Sequence, residues 1–380
     1  MNDLIFLKTL PSELFYIIVG YNPKSVFIYH TREDWFRLNW IRLLKLNFNR
    51  DYQNTLLSIG DLVKIYLDCC WPKMVCGRTE YVVIDDDVIS NHSAERNTFL
   101  VAYGSQHMFI LLRDGTLLCR GSNELGQLGL GDFVLRDNFV RNDYYFGKNI
   151  AGIACGRYHT LVLLINGKVF TSGGISRGEI GSAFEPKNNF TEVENIKDVV
   201  QIACGFDYSF IKLKDGSIMA YGGGFWGQLG LGEIKRVSLF TKIEYISNVR
   251  EIACGGCTTF LLMKDGTVMS TGYNNSGVLG HGDRLHRNMF KRVKNLPKNI
   301  IKIQAGFDHA ICLLSNKTVM TCGSNTTGEL GFPDIRSRCI FKVVKDFSGR
   351  VADIGTGPFA KYTILRLVDG SLIKYGIEAK

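Results

Sequence analysis

The chain has 380 residues, a formal charge of +9, 46% apolar and 21% charged residues. That balance excludes collagen-like, low-complexity and disordered chains, and it leaves room for one large domain plus a small accessory segment. The positive charge contains no run of five or six like charges. It reads as a solvated surface with a lysine bias, with acidic partners or nucleic acid as a weaker alternative. No 18 apolar residues follow one another and the N-terminus has no basic n-region, so an intracellular protein, cytoplasmic or nuclear, without a membrane span is expected.

Residues 1–75 carry helical spacing. Leu7, Leu10, Leu14, Ile17 and Ile18 recur at three and four residues, and Pro11 sits near a helix start. Further helical stretches are expected at 34–44 and 62–67. This small α-helical segment is either an interaction module or a cap packed on the rest of the chain.

From residue 76 to residue 380 the pattern changes to a repeat. Gly104, Gly156, Gly205, Gly255, Gly306 and Gly357 are spaced by 52, 49, 50, 51 and 51 residues. A period held this closely marks a repeat architecture. Each unit then runs through an apolar strand, an Asp-Gly or Asn-Gly turn (Asp114-Gly115, Asn166-Gly167, Asp215-Gly216, Asp265-Gly266, Asp369-Gly370), and a second strand ending in glycine. A connection such as Gly126-Gln127-Leu128-Gly129 and a last short strand complete the unit. The turns are expected to be tight hairpins with positive φ at both central residues. In the fifth unit Asn316-Lys317 replaces Asp-Gly, a weaker turn. Four short antiparallel strands per unit predict an all-β propeller of about six four-stranded blades, with seven as the rival count.

The sixth unit is cut short: 23 residues follow Gly357, and 27 separate Gly77 from Gly104. Together they make one period. A strand within 78–100, with Glu80-Tyr81-Val82-Val83-Ile84-Asp85 as its candidate, is therefore expected to complete the last blade and remove an open sheet edge.

Among the 11 cysteines, Cys155, Cys204 and Cys254 share one repeat position and are read as small buried residues in a reducing compartment. Cys254-Gly255-Gly256-Cys257 has no second pair to make a zinc site. Gly222-Gly223-Gly224-Phe225-Trp226-Gly227 fits a dinucleotide string but lies in a repeat connection. His107, His159 and His309 also share a position and are expected to bond backbone within their own blades. Asp207 and Asp308 are read as turn residues. No catalytic set, cofactor or metal is expected. Trp226 breaks the repeat at a loop tip and is a candidate partner-binding residue.

These units resemble the regulator of chromosome condensation repeats, through the Ala-Cys-Gly-x-x-His start at 154–159, the Asp-Gly turn and the Asn-x-x-Gly-Gln-Leu-Gly stretch at 123–129. The resemblance implies a propeller that is usually seven-bladed. Leu10-Pro11-Ser12-Glu13-Leu14-Phe15-x-x-Ile18, with Asn22–Val26 and 40–48, resembles an F-box. That resemblance implies that Leu10, Pro11, Leu14, Phe15 and Ile18 contact the adaptor of a cullin-type ubiquitin ligase while the propeller selects a substrate. The expected function is thus a non-enzymatic interaction scaffold. The alternative implied by the repeat family is guanine-nucleotide exchange on a Ran-like small GTPase, or chromatin binding.

Overall fold

The computed structural model describes residues 98–112, 115–144, 149–174, 187–233 and 236–376. Residues 1–75, expected to be helical, with Leu10, Pro11, Leu14, Phe15 and Ile18, and the candidate closing strand at 80–85 lie outside the described residues.

Among the described residues the strands form six antiparallel sheets, five of four strands and one of three, each built from consecutive strands. The blades among the described residues therefore number six. The first blade contains Thr98–Tyr103, His107–Leu112, Leu117–Gly121 and Arg136–Asn142. The first strands of the next five blades are Ile150–Cys155, Val199–Cys204, Val249–Cys254, Ile300–Ala305 and Val351–Gly355. From blade 1 to blade 6, these first strands stand side by side around a common axis. Helix is confined, among the described residues, to the single 3-10 turn Lys345–Phe347.

The alternation of each strand serves two neighbours. One core cluster joins Phe260, Leu262 and Leu279 of the fourth blade to Ile303, Cys312 and Phe341 of the fifth. Equivalent clusters join the first blade to the second, the second to the third, the third to the fourth and the fifth to the sixth. Burying a side chain such as Phe260 or Leu262 contributes about 1.5–3 kcal/mol, and that gain exists only while the neighbouring blade is present.

The hairpin turns differ from the sequence expectation. Gly216 N–H donates to the Leu213 carbonyl and Leu213 N–H to the Ser217 carbonyl. The two central residues of the turn are thus Lys214 and Asp215, and only the following Gly216 is left-handed, at φ +87°. Asp215 contributes through its side chain, since Oδ1 accepts from Ser217 N at 2.8 Å and Ser217 Oγ at 2.7 Å. Asp265 with Thr267, Asn166 with Lys168, Asp369 with Ser371 and Asn316 with Thr318 repeat the backbone part of this arrangement. In the fifth blade Lys317 takes the left-handed position at φ +62°.

Candidate interaction face

Where both are described, the loops after the first strand and after the third strand of a blade lie at the same end of the sheet. Gly223 N–H bonds the Asp207 carbonyl, and Ser122 N–H bonds the Gln106 carbonyl, tying the two loops together in their blades. This end is the loop face. The Asp-Gly turns and the links between blades form the opposite, turn face.

Beneath the loop face the blades are clasped by the repeat's histidines. His107 Nε2 meets Thr160 Oγ1 of the second blade at 2.9 Å, and the Thr160 hydroxyl donates to the Gln127 carbonyl at 2.8 Å. His159 Nε2 meets Ser209 Oγ of the third blade at 2.7 Å, and His309 Nε2 meets Thr363 Oγ1 of the sixth at 2.9 Å. Tyr208 holds the same position in the third blade and donates to the Gly255 and Thr258 carbonyls of the fourth. These residues therefore bond across blades, and the expectation of backbone bonds within one blade is corrected. Each partner hydroxyl lies one period further along the chain, where a local reading does not look. Burial holds the imidazoles neutral, with pKa values lowered to about 3 for His107 and about 4 for His159 and His309.

The same packing explains the repeat glycine. A Cβ on Gly156 would stand 2.5 Å from His159 Nδ1, well inside contact distance. Its backbone is ordinary, so close approach of the ring and not a left-handed φ requires glycine there. Cys155, Cys204 and Cys254 are buried behind it, as expected.

The axis is a well of about 620 Å³ lined by the first strands. Its wall in the first two blades is apolar or small, with Leu100, Ala102, Gly152 and Ala154. Its opposite wall is polar. Gln201 bonds both the N–H and the carbonyl of Ile252, Lys302 Nζ reaches Asp353 Oδ1 at 2.9 Å and the Ile354 carbonyl at 3.2 Å, and Gln304 accepts from Thr356 N–H. Each of these bonds crosses a blade boundary. Glu251 lies in the same wall, and burial raises its carboxyl to about 7 against the opposing pull of Lys302 and Arg250.

An aromatic hub covers the well at the loop face. Phe206 of the third blade stacks on Phe359 of the sixth, with centroids 4.8 Å apart and planes 7° from parallel. Phe307 of the fifth blade adds a tilted ring at 5.2 Å. Backbone bonds from Arg157 N–H to the Phe206 carbonyl, from Phe206 N–H to Gly256 and from Phe307 N–H to Ala360 hold the hub loops together. Arg157 lies over Tyr158 and Lys361 over Phe307, which places two cations at its edge. Cys257 sits beside Asp207 and Asp308, and its thiol is pushed up to about 12, first by burial and then by those carboxylates. That environment opposes formation of the thiolate.

Trp226 lies further out on this face. It makes edge contacts at 5.1 Å with both Tyr273 and His286 of the fourth blade, and those two rings stack at 5.0 Å. Asn274 N–H donates to His286 Nδ1 at 2.9 Å and fixes that ring. Trp226 thus packs on the neighbouring blade and still exposes 46% of its surface, while Phe225 exposes 49% and Leu285 68%. Loops at the same place in the first and fifth blades present Phe133, Val134, Leu135 and Ile335, all more exposed than buried or nearly so. The sequence pointed to Trp226 alone. The signal for Phe133 and Ile335 was the apolar residue following the connection's aspartate, in Asp132-Phe133 and Asp334-Ile335, and Leu285 stands two places after Asp283. The described residues contain no group of His, Cys, Asp and Glu suited to a metal ion.

Two profiles of the Regulator of chromosome condensation (RCC1) repeat match this chain, one over 100–127, 150–178, 249–278 and 300–329 and the other over 114–163 and 265–313. Among curated proteins, the human "Probable E3 ubiquitin-protein ligase HERC3" is 38% identical over 81 residues, which are 21% of this chain and 8% of that one. "Protein pim1" of Schizosaccharomyces pombe is 30% identical over 97 residues, 22% of this chain and 18% of that one. The aligned region therefore spans under a fifth of either relative. Among solved structures, Prp20p from Saccharomyces cerevisiae superposes with a TM-score of 0.65 at 20% identity, covering 73% of this chain and 72% of that one. Human WBSCR16 superposes with a TM-score of 0.60 at 22% identity, covering 70% and 72%. At such identities the likeness is one of fold. Periodicity, blade packing and the repeat profiles agree: the chain carries RCC1 repeats folded as a six-bladed β-propeller.

Proposed function

We propose that this chain is a non-enzymatic scaffold that docks a protein partner on the loop face of its propeller. The observation that carries this reading is the pairing of an exposed aromatic and aliphatic rim, centred on Trp226, Tyr273, His286 and Leu285, with a clasped framework beneath it. Rigid aromatic anchors lose little entropy on binding, and apolar surface presented on loops above a packed ring is where recognition concentrates. The polar groups of the axial wall are committed to bonds between blades, which suits a structural role and leaves little for chemistry.

In the finer form of this proposal, residues 1–75 hold a ubiquitin-ligase adaptor through Leu10, Pro11, Leu14, Phe15 and Ile18, while the propeller presents the substrate. Support comes from the F-box-like sequence. The ligase name of HERC3 adds nothing to it, because that match falls within the repeats. Replacing Leu10 and Leu14 together by Asp in the full chain is expected to abolish adaptor co-purification and leave propeller-bound proteins in place. Loss of neither, or of both, contradicts the division of labour.

A second reading is nucleotide exchange, favoured by the fold likeness to Prp20p, whose structure is described with its binding to Gsp1p and histones. An exchange factor stabilises the nucleotide-free GTPase. Release of labelled GDP from a Ran-like GTPase separates the readings: the scaffold proposal expects the spontaneous rate at all concentrations of this chain, and a saturable acceleration would replace it with exchange.

A further inference from the structure

The positive charge of the chain is not spread evenly. Residues 281–350 carry 13 Lys/Arg and five Asp/Glu, a net +8 out of the +9 of the whole chain. The excess is concentrated on the fourth strands of the fourth and fifth blades, Arg287–Arg292 and Arg338–Val343, and on the links that follow them.

The first three blades build the same strand with a different charge. Phe139, Phe190, Phe240, Phe290 and Phe341 mark one position of the fourth strand in successive blades. The fourth place after it holds Asp143, Glu194 and Glu244 in the first three blades, but Lys294 and Lys345 in the next two. In the first and third blades that acid neutralises its own strand, since Asp143 pairs with Arg141 at 3.2 Å and Glu244 with Lys242 at 3.4 Å. In the fourth blade the corresponding two residues are Arg292 and Lys294, which are like charges. The place directly after the phenylalanine changes as well, from Val140, Thr191 and Thr241 to Lys291 and Lys342. Lys291, Lys294, Lys342 and Lys345 are all exposed, and none of them makes an ion pair among the described residues. The fold does not require these lysines, because three blades form without them. Gathered on two adjacent blades they repel one another, and an anionic partner relieves that repulsion.

Apolar side chains stand among the lysines. The place before the phenylalanine is Asn138 and Asn189 in the first two blades, and Leu239, Met289 and Ile340 in the next three. Met289 exposes 49% of its surface and Ile340 39%. Met289 and Lys291 flank the buried Phe290, and Ile340 and Lys342 flank the buried Phe341, so each strand turns an apolar and a basic side chain outward together. We propose that these two strands and their links dock an extended acidic protein segment with apolar side chains between its carboxylates. Charge complementarity selects a polyanion, and the apolar residues select a polypeptide. The lysines neutralise its carboxylates while its apolar side chains cover Met289 and Ile340. A nucleic-acid backbone offers those two side chains nothing apolar, and the aromatic rings of both strands are buried and closed to base stacking. Asp265, 3.9 Å from Lys298 and also attracting Arg292, is an acidic margin that ends the surface toward the turn face. The surface lies on the outer side of the ring and is independent of what docks on the loop face.

Fluorescence anisotropy with the full chain tests the proposal. Three labelled probes are compared: a peptide of repeated Glu-Glu-Leu units, the same peptide with serine in place of leucine, and a DNA duplex of equal charge. The leucine peptide should bind most tightly. Lys294→Glu with Lys345→Glu installs the kind of residue that the first three blades carry at that place, so the thermal midpoint should hold while affinity for the leucine peptide falls about tenfold. Met289→Ser with Ile340→Ser should lower that affinity about fivefold and leave the serine peptide unaffected. Lys187→Glu with Lys197→Glu makes the same change of net charge on the second blade and should leave every probe unaffected. A duplex that binds as tightly as the leucine peptide and is released by the Lys294 and Lys345 substitutions would make this a nucleic-acid surface and overturn the proposal. Equal affinity for the two peptides, an equal loss from the second-blade substitutions, or no binding of the leucine peptide would overturn it too.

Discussion

Replacing His159 by Gln gives the sharpest test of the clasp between blades. Glutamine keeps a donor for Ser209 and removes the titration. In the folded chain the imidazole is buried and its pKa lies near 4, against 6.5 for the free side chain. Between those values the unfolded chain binds more protons than the folded one, so stability is complete above pH 6.5 and is lost as pH falls toward 4. At pH 5 the gap of 1.5 pH units below the free value corresponds to about 2 kcal/mol for this one residue. Denaturant unfolding at pH 7.5 and pH 5 in both chains checks it. The variant's own packing cost cancels in the difference between the two pH values, so the His159→Gln chain should lose about 2 kcal/mol less than wild type on acidification. An identical loss in the two chains would mean that His159 is not held neutral, and the clasp would be discarded.

Glu251 should act in the opposite sense. Its folded pKa near 7 exceeds the free value of 4.5, so its cost appears as pH rises through that window, and Glu251→Gln should gain up to about 3 kcal/mol at pH 8 and nothing at pH 4. A gain that is the same at both pH values would refute the assignment. Gly156→Ala should destabilise strongly although its backbone is ordinary, and the loss should shrink when His159 is also replaced by Ala; additive losses in that double-mutant cycle would contradict the steric account. Lys317→Gly should stabilise by about 0.5–1 kcal/mol in thermal unfolding, because the left-handed conformation at φ +62° penalises a side chain more than glycine's extra unfolded freedom offsets. A loss of stability would mean that the Lys317 side chain contributes contacts of its own.

The repeat was legible because each blade solves the same packing problem at the same spacing. Glycines recur where a ring or a strand approaches the backbone, and that requirement writes itself into the sequence once per blade. The turn was legible as a turn but not in its type. Asp215 and Gly216 are consistent with two hydrogen-bonding patterns, and only the bonds around Leu213 and Ser217 separate them. The histidines were visible as a set, yet their partners Thr160, Ser209 and Thr363 lie 47–54 residues further along for each clasp taken with Thr356, a range that only a circular arrangement makes adjacent. The hub was least legible of all. Phe206 and Phe307 each follow their repeat glycine, but Phe359 stands one place further on because the sixth blade carries two extra residues before Tyr362, and the three meet only because their loops converge on one axis. Trp226 stood out as an exception to the repeat, and its neighbours Tyr273 and His286 come from the adjacent blade.

The central claim is that the loop face is the docking surface. Site-specific photocrosslinking in cells tests it most directly, with the photoreactive residue placed at Trp226 on the loop face or at Asp265 on the turn face. A discrete protein adduct is expected from position 226 that disappears when Leu285→Asp and Tyr273→Ala are added, and none of comparable yield from position 265. Adducts confined to position 265, or an adduct at 226 that survives both substitutions, would contradict it.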